Sequence, residues 1–364
     1  MKQKGLSKRL FGICLVLLLA VSLVAAGCPA PVDPVVEPPP EPEVFEWRMQ
    51  AFISAGHPLV VNSQDFFVET VRRLSGGRLI IHSHGAGEIV GAMGTRGAVS
   101  KGIIQMGKWW PTFDMGVDPV AAILGSMPFG IGQEDYLAWW LRGGGKELMA
   151  EFYAPLNVYP VVMFVEAAGT ALHMREPWST LEELRGRKFR VVGLQAKIFD
   201  RLGIGVVPLP GGEIYTAMEL GLIDGAEWAG PMLNKALGFH EPGPYMLSPG
   251  WHEPALLTLL IVNKDAWQAL PDDLKYIVEV AALATYTHYR QFTLHANALA
   301  LNDMLAAGAS IITLSDADLE ILRATAMEIM QEYAAACPFY RRVLKSQLDY
   351  LEFREPFKRF DEGF

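Results

Sequence analysis

The sequence predicts an α/β protein built on two sheet-containing domains and joined by one long helix. Three observations predict it. Between residues 45 and 262, apolar runs of strand length alternate with runs of helical spacing, the pattern of α/β folds with largely parallel sheets. The 364 residues suffice for about two domains. No Pro or Gly falls between Pro271 and Gly308. Residues 272–307 can therefore run as one helix of about 54 Å, longer than one domain is wide. Such a helix bridges two domains or reaches a second chain.

The chain opens with Lys2, Lys4, Lys8 and Arg9, then an uncharged apolar run over 10–26, the layout of an export signal. The run ends in Ala25-Ala26-Gly27-Cys28, small residues before a cysteine that resemble a bacterial lipobox. Cleavage there removes residues 1–27 and leaves Cys28 first, carrying lipid. An uncleaved anchor helix is the other reading, because the run is at the short end for a membrane span. Both put the folded part outside the inner membrane. Residues 28–44 are Pro-rich and read as a stiff, extended tether.

Residues 45–51 alternate as a first strand. Residues 62–74 have helical spacing and stop at Gly76-Gly77. Strands follow at 78–83 and 103–106, with a short helix over 95–101 between them. Helical stretches at 136–141 and 146–153 precede a buried strand at 158–165. A second set begins near 168, where Ser179-Thr180-Leu181-Glu182-Glu183 is a capped helix start. Strands at 188–192, 206–209 and 223–228 alternate with helices at 195–202 and 213–220. Residues 256–262 are continuously apolar and read as a strand returning to the first sheet. After the long helix, 310–314 is a short strand, and Ser315-x-x-Asp318 caps a further helix towards Ala336.

Composition excludes several functions. Lys and Arg number 31 against 40 Asp and Glu, with no basic cluster beyond residue 9, so nucleic acid is not a partner. Three cysteines make no disulfide scaffold, and Cys337 before Pro338 reads as a structural thiol. No nucleophile elbow, phosphate loop, dinucleotide fingerprint, His-Glu-x-x-His or Cys-x-x-Cys is present. His82 and His84 share a strand face, either as metal ligands or as an exposed surface. Nothing local demands an enzyme.

The informative segment is 186–231. Arg190 lies near the carboxyl end of a strand, where open α/β sheets bind ligands. Its planar fork matches a carboxylate, though a surface ion pair fits the spacing equally. At Gly211-Gly212-Glu213 the free N–H groups of the next helix start favour a bound anion, or Glu213 itself caps them. Glu227, in Ile223-Asp224-Gly225-Ala226-Glu227-Trp228, is a strand-end acid that needs a partner if buried. Glu253, in Gly250-Trp251-His252-Glu253, is a second acid among aromatics. Two carboxylates with carbonyl oxygens suit a hard cation, and solvated loop acids fit the spacing too.

KFRVVG, PGGEIYTAMELGLIDGAEWAGP and PGWHE, with SGGRL, AGEIVGA and AVSKGIIQMG upstream, together resemble a TRAP-transporter solute-binding protein of the DctP family. They are most similar to the branch that binds α-keto acids. The resemblance implies a two-lobed fold like that of periplasmic binding proteins, crossed by the long helix. Lobe I would hold 45–165 plus about 256–270, lobe II 166–255, and 271–364 the spanning and C-terminal helices. It implies that Arg190 grips the substrate carboxylate. Glu227, the Trp228 carbonyl and Glu253 would hold a cation, Na+ or Ca2+. Where the branch carries Gln as a further cation and substrate ligand, this chain has His173, whose nitrogen suits softer metals. Trp109-Trp110 replaces Tyr-rich sequence and would narrow the pocket or stack on the ligand, or pack in the core.

The implied function is capture, without catalysis, of a small organic acid, a 2-oxo or 2-hydroxy monocarboxylate. The partners are that carboxylate and the permease subunits of a TRAP transporter, with the membrane reached only by the lipid at Cys28. The long helix also suits a homodimer, and a monomer equally. Two other classes stand beside this one: a lipid-anchored enzyme acting on carboxylates, and a sensory or scaffolding lipoprotein.

Overall fold

The computed structural model describes residues 43–361, so the export signal, Cys28 and most of the tether lie outside the described residues. The chain begins with strand β1 (Phe45–Gln50), helix α1 (Phe66–Leu74), β2 (Leu79–His84), α2 (Thr95–Ser100) and β3 (Met106–Trp109). It continues through α3 (Val120–Gly125), α4 (Gln133–Arg142), α5 (Gly145–Tyr153) and β4 (Val158–Ala167). Then come β5 (Leu172–Met174), α6 (Leu181–Leu184), β6 (Lys188–Arg190), α7 (Gly193–Arg201), β7 (Gly205–Val206) and α8 (Ile214–Glu219). β8 (Gly225–Ala226), α9 (Pro231–Ala236) and β9 (Tyr245–Ser248) lead into β10 (Ala255–Asn263) and α10 (Lys264–Ala269). The last elements are α11 (Asp272–Ala306), β11 (Ser310–Thr313), α12 (Asp316–Ala336) and α13 (Pro338–Asp361). No helix among the described residues is long and apolar enough to cross a membrane.

The strands form two sheets, and these are the cores of two lobes. The first has the order β2-β1-β3-β10-β4 and the second β11-β9-β5-β8-β6-β7. Pairing is parallel among β1, β2 and β3, while β10 runs antiparallel to β3 and β4. In the second sheet β5 is the reversed strand, antiparallel to β8 and β9. The other second-sheet pairs are parallel. The chain leaves the first sheet after β4 and returns at β10. All nine residues of β10 are buried, as its largely apolar run requires of a strand covered on both faces.

α11 follows from the run without Pro or Gly. Its first half lies on β4: Tyr289 packs on Phe164 with ring centroids 4.0 Å apart, and its hydroxyl donates to Glu166 Oε1 at 2.7 Å. Its second half reaches the other lobe, where Asn297 Oδ1 accepts from Met232 N at the start of α9 (2.9 Å) and Asp303 pairs with Lys235. α12 and α13 straddle in the same way. Glu332 on α12 takes a bidentate ion pair from Arg201 of α7, with both contacts at 2.9 Å. Gln347 on α13 donates to the Ile123 carbonyl of α3 at 2.6 Å. β11, which the sequence reading groups with the C-terminal helices, is an edge strand of the second sheet.

The strands foreseen at 188–192, 206–209 and 223–228 are shorter, as β6, β7 and β8; two other local expectations also change. The strand foreseen at 103–106 begins only at Met106, because Ile103 and Ile104 still donate to Ala98 O and close off α2. Glu213 caps nothing: it is exposed and its side chain makes no capping hydrogen bond. The cap at α6 does form, with Thr180 Oγ1 accepting from Glu183 N and the Glu183 carboxylate accepting from Thr180 N.

Candidate ligand and cation site

Arg190 is the last residue of β6 and is 7% exposed. Its Nη1 donates to the Glu227 carbonyl at 2.8 Å and to Glu227 Oε2 at 3.2 Å, and its Nε donates to Leu209 O at 3.2 Å. No acceptor among the described residues engages Nη2. The guanidinium lies 5.2 Å from the Trp228 ring centroid, a cation–π contact that fixes its plane. Gly211 sits hard against that ring, since a Cβ there would fall 2.5 Å from it.

Glu227 follows β8 and is buried. Its N–H donates to Arg190 O at 2.9 Å, so the two residues brace each other. The turn after it is clamped by Asn234, whose side chain donates to Ala229 O (2.8 Å) and accepts from Ala229 N (3.0 Å). The Trp228 carbonyl takes no hydrogen bond among the described residues.

The third segment of the site is the turn before β10. Gly250 touches the Gly169 backbone so closely that a Cβ would meet Gly169 O at 2.0 Å. Trp251 N–H donates to Pro249 O (2.9 Å), and the Trp251 carbonyl accepts from Phe129 N (2.8 Å). This locks His252 and Glu253 in place. One ligand atom each from Glu227, His252 and Glu253 lies within 4.8 Å of the others. His252 Nε2 is 3.9 Å from Glu227 Oε1. Burial, and then the Glu227 charge, push the Glu253 carboxyl up. Burial lowers the Arg190 guanidinium, and the charges of Glu227 and Glu253 oppose that shift.

A cavity of ≈ 20 Å³ opens onto this cluster. Thr112, Ala122 and Ser126 line it from the first lobe, and Val192, Gln195 and Glu253 are among those lining it from the other side. Two carboxylates against one guanidinium leave room, in charge, for a cation. The donor set therefore fits one.

Arg190, Glu227, Trp228 and Glu253 thus come together. His173 does not join them. It is fully buried on β5, its Nδ1 is 3.0 Å from Gly243 O, and its ring faces Phe239. Burial lowers its pKa to about 4, with His240 adding to the effect. Aligning it with the family's Gln placed it at the cation, but its side chain packs within the second lobe. Trp109 is also a core residue, with Nε1 donating to the buried Asp114 at 2.9 Å. Trp110 is half-buried beside Phe52 and donates to Thr258 Oγ1 at 2.7 Å. It is not among the residues lining the cavity. His82 and His84 lie near Glu46 (3.7 Å) and Glu88 (3.2 Å) on the outer part of β2. Cys337 is half-buried and accepts from Tyr340 N at 3.5 Å. The residue that sequence reasoning missed is His252, although it adjoins Glu253 in the same quoted motif.

Two lobes on separate sheets, crossed by shared helices and facing a buried charged cluster, define a clamp-type binding protein. The model for bacterial extracellular solute-binding proteins, family 7 (DctP), matches residues 50–336, and the chain belongs to that family. A monocarboxylate 2-oxoacid-binding periplasmic protein of Nostoc sp. is 31% identical over 274 residues, 75% of each chain. A TRAP periplasmic solute-binding protein of Pseudoalteromonas atlantica, solved with bound sodium and pyruvate, superposes with TM-score 0.82 at 29% identity. It covers 88% of this chain and 98% of its own. One from Colwellia psychrerythraea, with calcium and pyruvate, gives 0.83 at 27% identity and the same coverage.

Proposed function

We propose that this protein captures a small 2-oxo or 2-hydroxy monocarboxylate outside the inner membrane and delivers it, unchanged, to the permease subunits of a TRAP transporter. The observation that carries the proposal is Arg190: a buried guanidinium at a strand's carboxyl end, with Nη2 unengaged, beside one buried acid, Glu227, and one half-buried acid, Glu253. Arg190 would take the substrate carboxylate, and the Trp228 ring would hold the fork's plane. Glu227, the Trp228 carbonyl and Glu253 would hold a cation, Na+ or Ca2+ in the relatives, which supplies positive charge for the substrate's oxygens.

The test is thermal unfolding of the protein against a panel of small carboxylates, each with and without chelator. A ligand bound to the native state raises Tm by mass action. A rise with 2-oxo acids is expected. No rise with any acid overturns the reading.

Two finer features belong to the same proposal. Lipidation of Cys28 would tether the body, and Cys28→Ser should release it into the soluble fraction. A second copy would cover α11, where Tyr276, Leu294 and Leu299 are exposed. Light scattering that reports only a monomer at high concentration removes that feature.

A further inference from the structure

The next inference rests on the ligand reading above and deepens it. We propose that His252 ligates the cation through Nε2, and that the site prefers a divalent transition cation such as Co2+, Ni2+ or Zn2+ over Na+ or Ca2+.

Four observations carry this. First, the three-residue cluster contains His252 on equal terms with both acids, one ligand atom of each lying within 4.8 Å of the others. Second, His252 is 4% exposed, yet neither ring nitrogen has a hydrogen-bond partner among the described residues. Nδ1 is sealed from solvent, and the 3.9 Å from Nε2 to Glu227 Oε1 is too long for a hydrogen bond. A buried imidazole held merely as an ion-pair partner would close that gap. At this separation an ion fits between nitrogen and oxygen. Third, the ring is preset. It meets the edge of Trp251 with centroids 5.9 Å apart, and Trp251 is stacked on Phe129 at 5.4 Å. The Gly250–Gly169 contact fixes the backbone behind it. Rigid support of this kind is what a ligating side chain requires.

The fourth is the chemistry of the donor set. Two carboxylates and one imidazole make three protein donors, and the Trp228 carbonyl, which takes no hydrogen bond among the described residues, would be a fourth. Two oxygens of a 2-oxo acid complete six. Na+ and Ca2+ take oxygen donors and gain little from nitrogen. Imidazole favours borderline cations, whose affinities for mixed nitrogen–oxygen sites rise towards the later first-row metals. His173, the other buried histidine, belongs to no cluster of acids among the described residues and faces Gly243 and Phe239 instead.

The experiment titrates metal-stripped protein with CoCl2, NiCl2, ZnCl2 and CaCl2, reading calorimetry and the visible spectrum of the Co2+ form. At least tenfold tighter binding of Co2+, Ni2+ or Zn2+ than of Ca2+ is expected, with a Co2+ band characteristic of nitrogen ligation. His252→Gln should restore Ca2+ to parity and shift the band. Equal or tighter Ca2+ binding by the wild type overturns the proposal, as does a Co2+ spectrum that His252→Gln leaves unchanged. The spectrum of the wild type decides the point even if the variant misfolds. Pyruvate binding is then measured with each ion. Pyruvate bound only with Na+ or Ca2+ keeps the transport reading and removes this one. Histidine-dependent Co2+ binding without any carboxylate binding does the reverse.

Discussion

Arg190 and His173 are both buried on the second sheet, and their surroundings give them opposite work. Arg190 keeps one edge of its fork unengaged by the protein, and each charge-assisted bond it makes to a carboxylate contributes about 1.5–3 kcal/mol. Arg190→Gln should therefore weaken ligand binding by about 3 kcal/mol, on the order of 100-fold, while circular dichroism stays native. Undiminished affinity in calorimetry would end its assignment. His173 is a matter of stability. Its folded pKa of about 4 lies below the ordinary value of 6.5. The unfolded chain therefore binds the extra proton between those values. Its contribution is complete above pH 6.5 and is lost as pH falls towards 4, by about 3 kcal/mol. The charge of His240, which shares that corner, adds to the lowering of the His173 pKa. His173→Gln should flatten the acid limb of a urea-stability profile and leave ligand affinity within about threefold. An unchanged slope between pH 6.5 and 4 would contradict this.

Elements matter here through their ends. The turn into α8 passes Gly211 under the Trp228 ring, with no space for a Cβ. Gly211→Ala must push the indole off Arg190. An overpacking cost of about 1–3 kcal/mol in stability is expected, with a matching loss of carboxylate affinity. If calorimetry finds affinity retained while Tm falls, the ring only packs. The same end-dependence decides what sequence could reveal. Long periodic elements such as α1, α11 and α12 were legible, and so was β10, because their patterns repeat over several turns or pleats. β5 spans three residues, too few for any period, and was not read, while β8 lies within the strand read at 223–228 but keeps only two paired residues. Arg190 and Glu227 could be read as charged residues at strand ends and Glu253 as an acid among aromatics, but spacing left each of them open as a surface or solvated charge. His173 misled because it stands where the family branch carries a ligating Gln, while the fold turned its side chain towards Gly243 and Phe239. His252 was missed because, next to Trp251, it reads as packing until its unbonded ring is seen beside two carboxylates.

At the scale of the molecule, α11 and the α12–α13 pair pack on both lobes, and the chain crosses between the sheets twice more. These connections keep the lobes in register while leaving the cleft as the surface that can part. Parting is required. The cavity at the cluster, ≈ 20 Å³, is on the scale of one water, whereas a three-carbon acid needs several times that. Ligand entry and closure are thus one event, and a side chain that props the cleft should block both. Val192 lines the cavity from the second lobe and is 44% exposed, so enlarging it costs the folded lobe little. Val192→Trp should hold the lobes apart. Small-angle scattering should show the wild type contracting on adding pyruvate and the variant remaining expanded. Its ligand affinity should fall more than tenfold, with Tm in the absence of ligand within a few degrees of wild type. A variant that contracts and binds normally would mean that the acid enters by a route other than separation of the lobes.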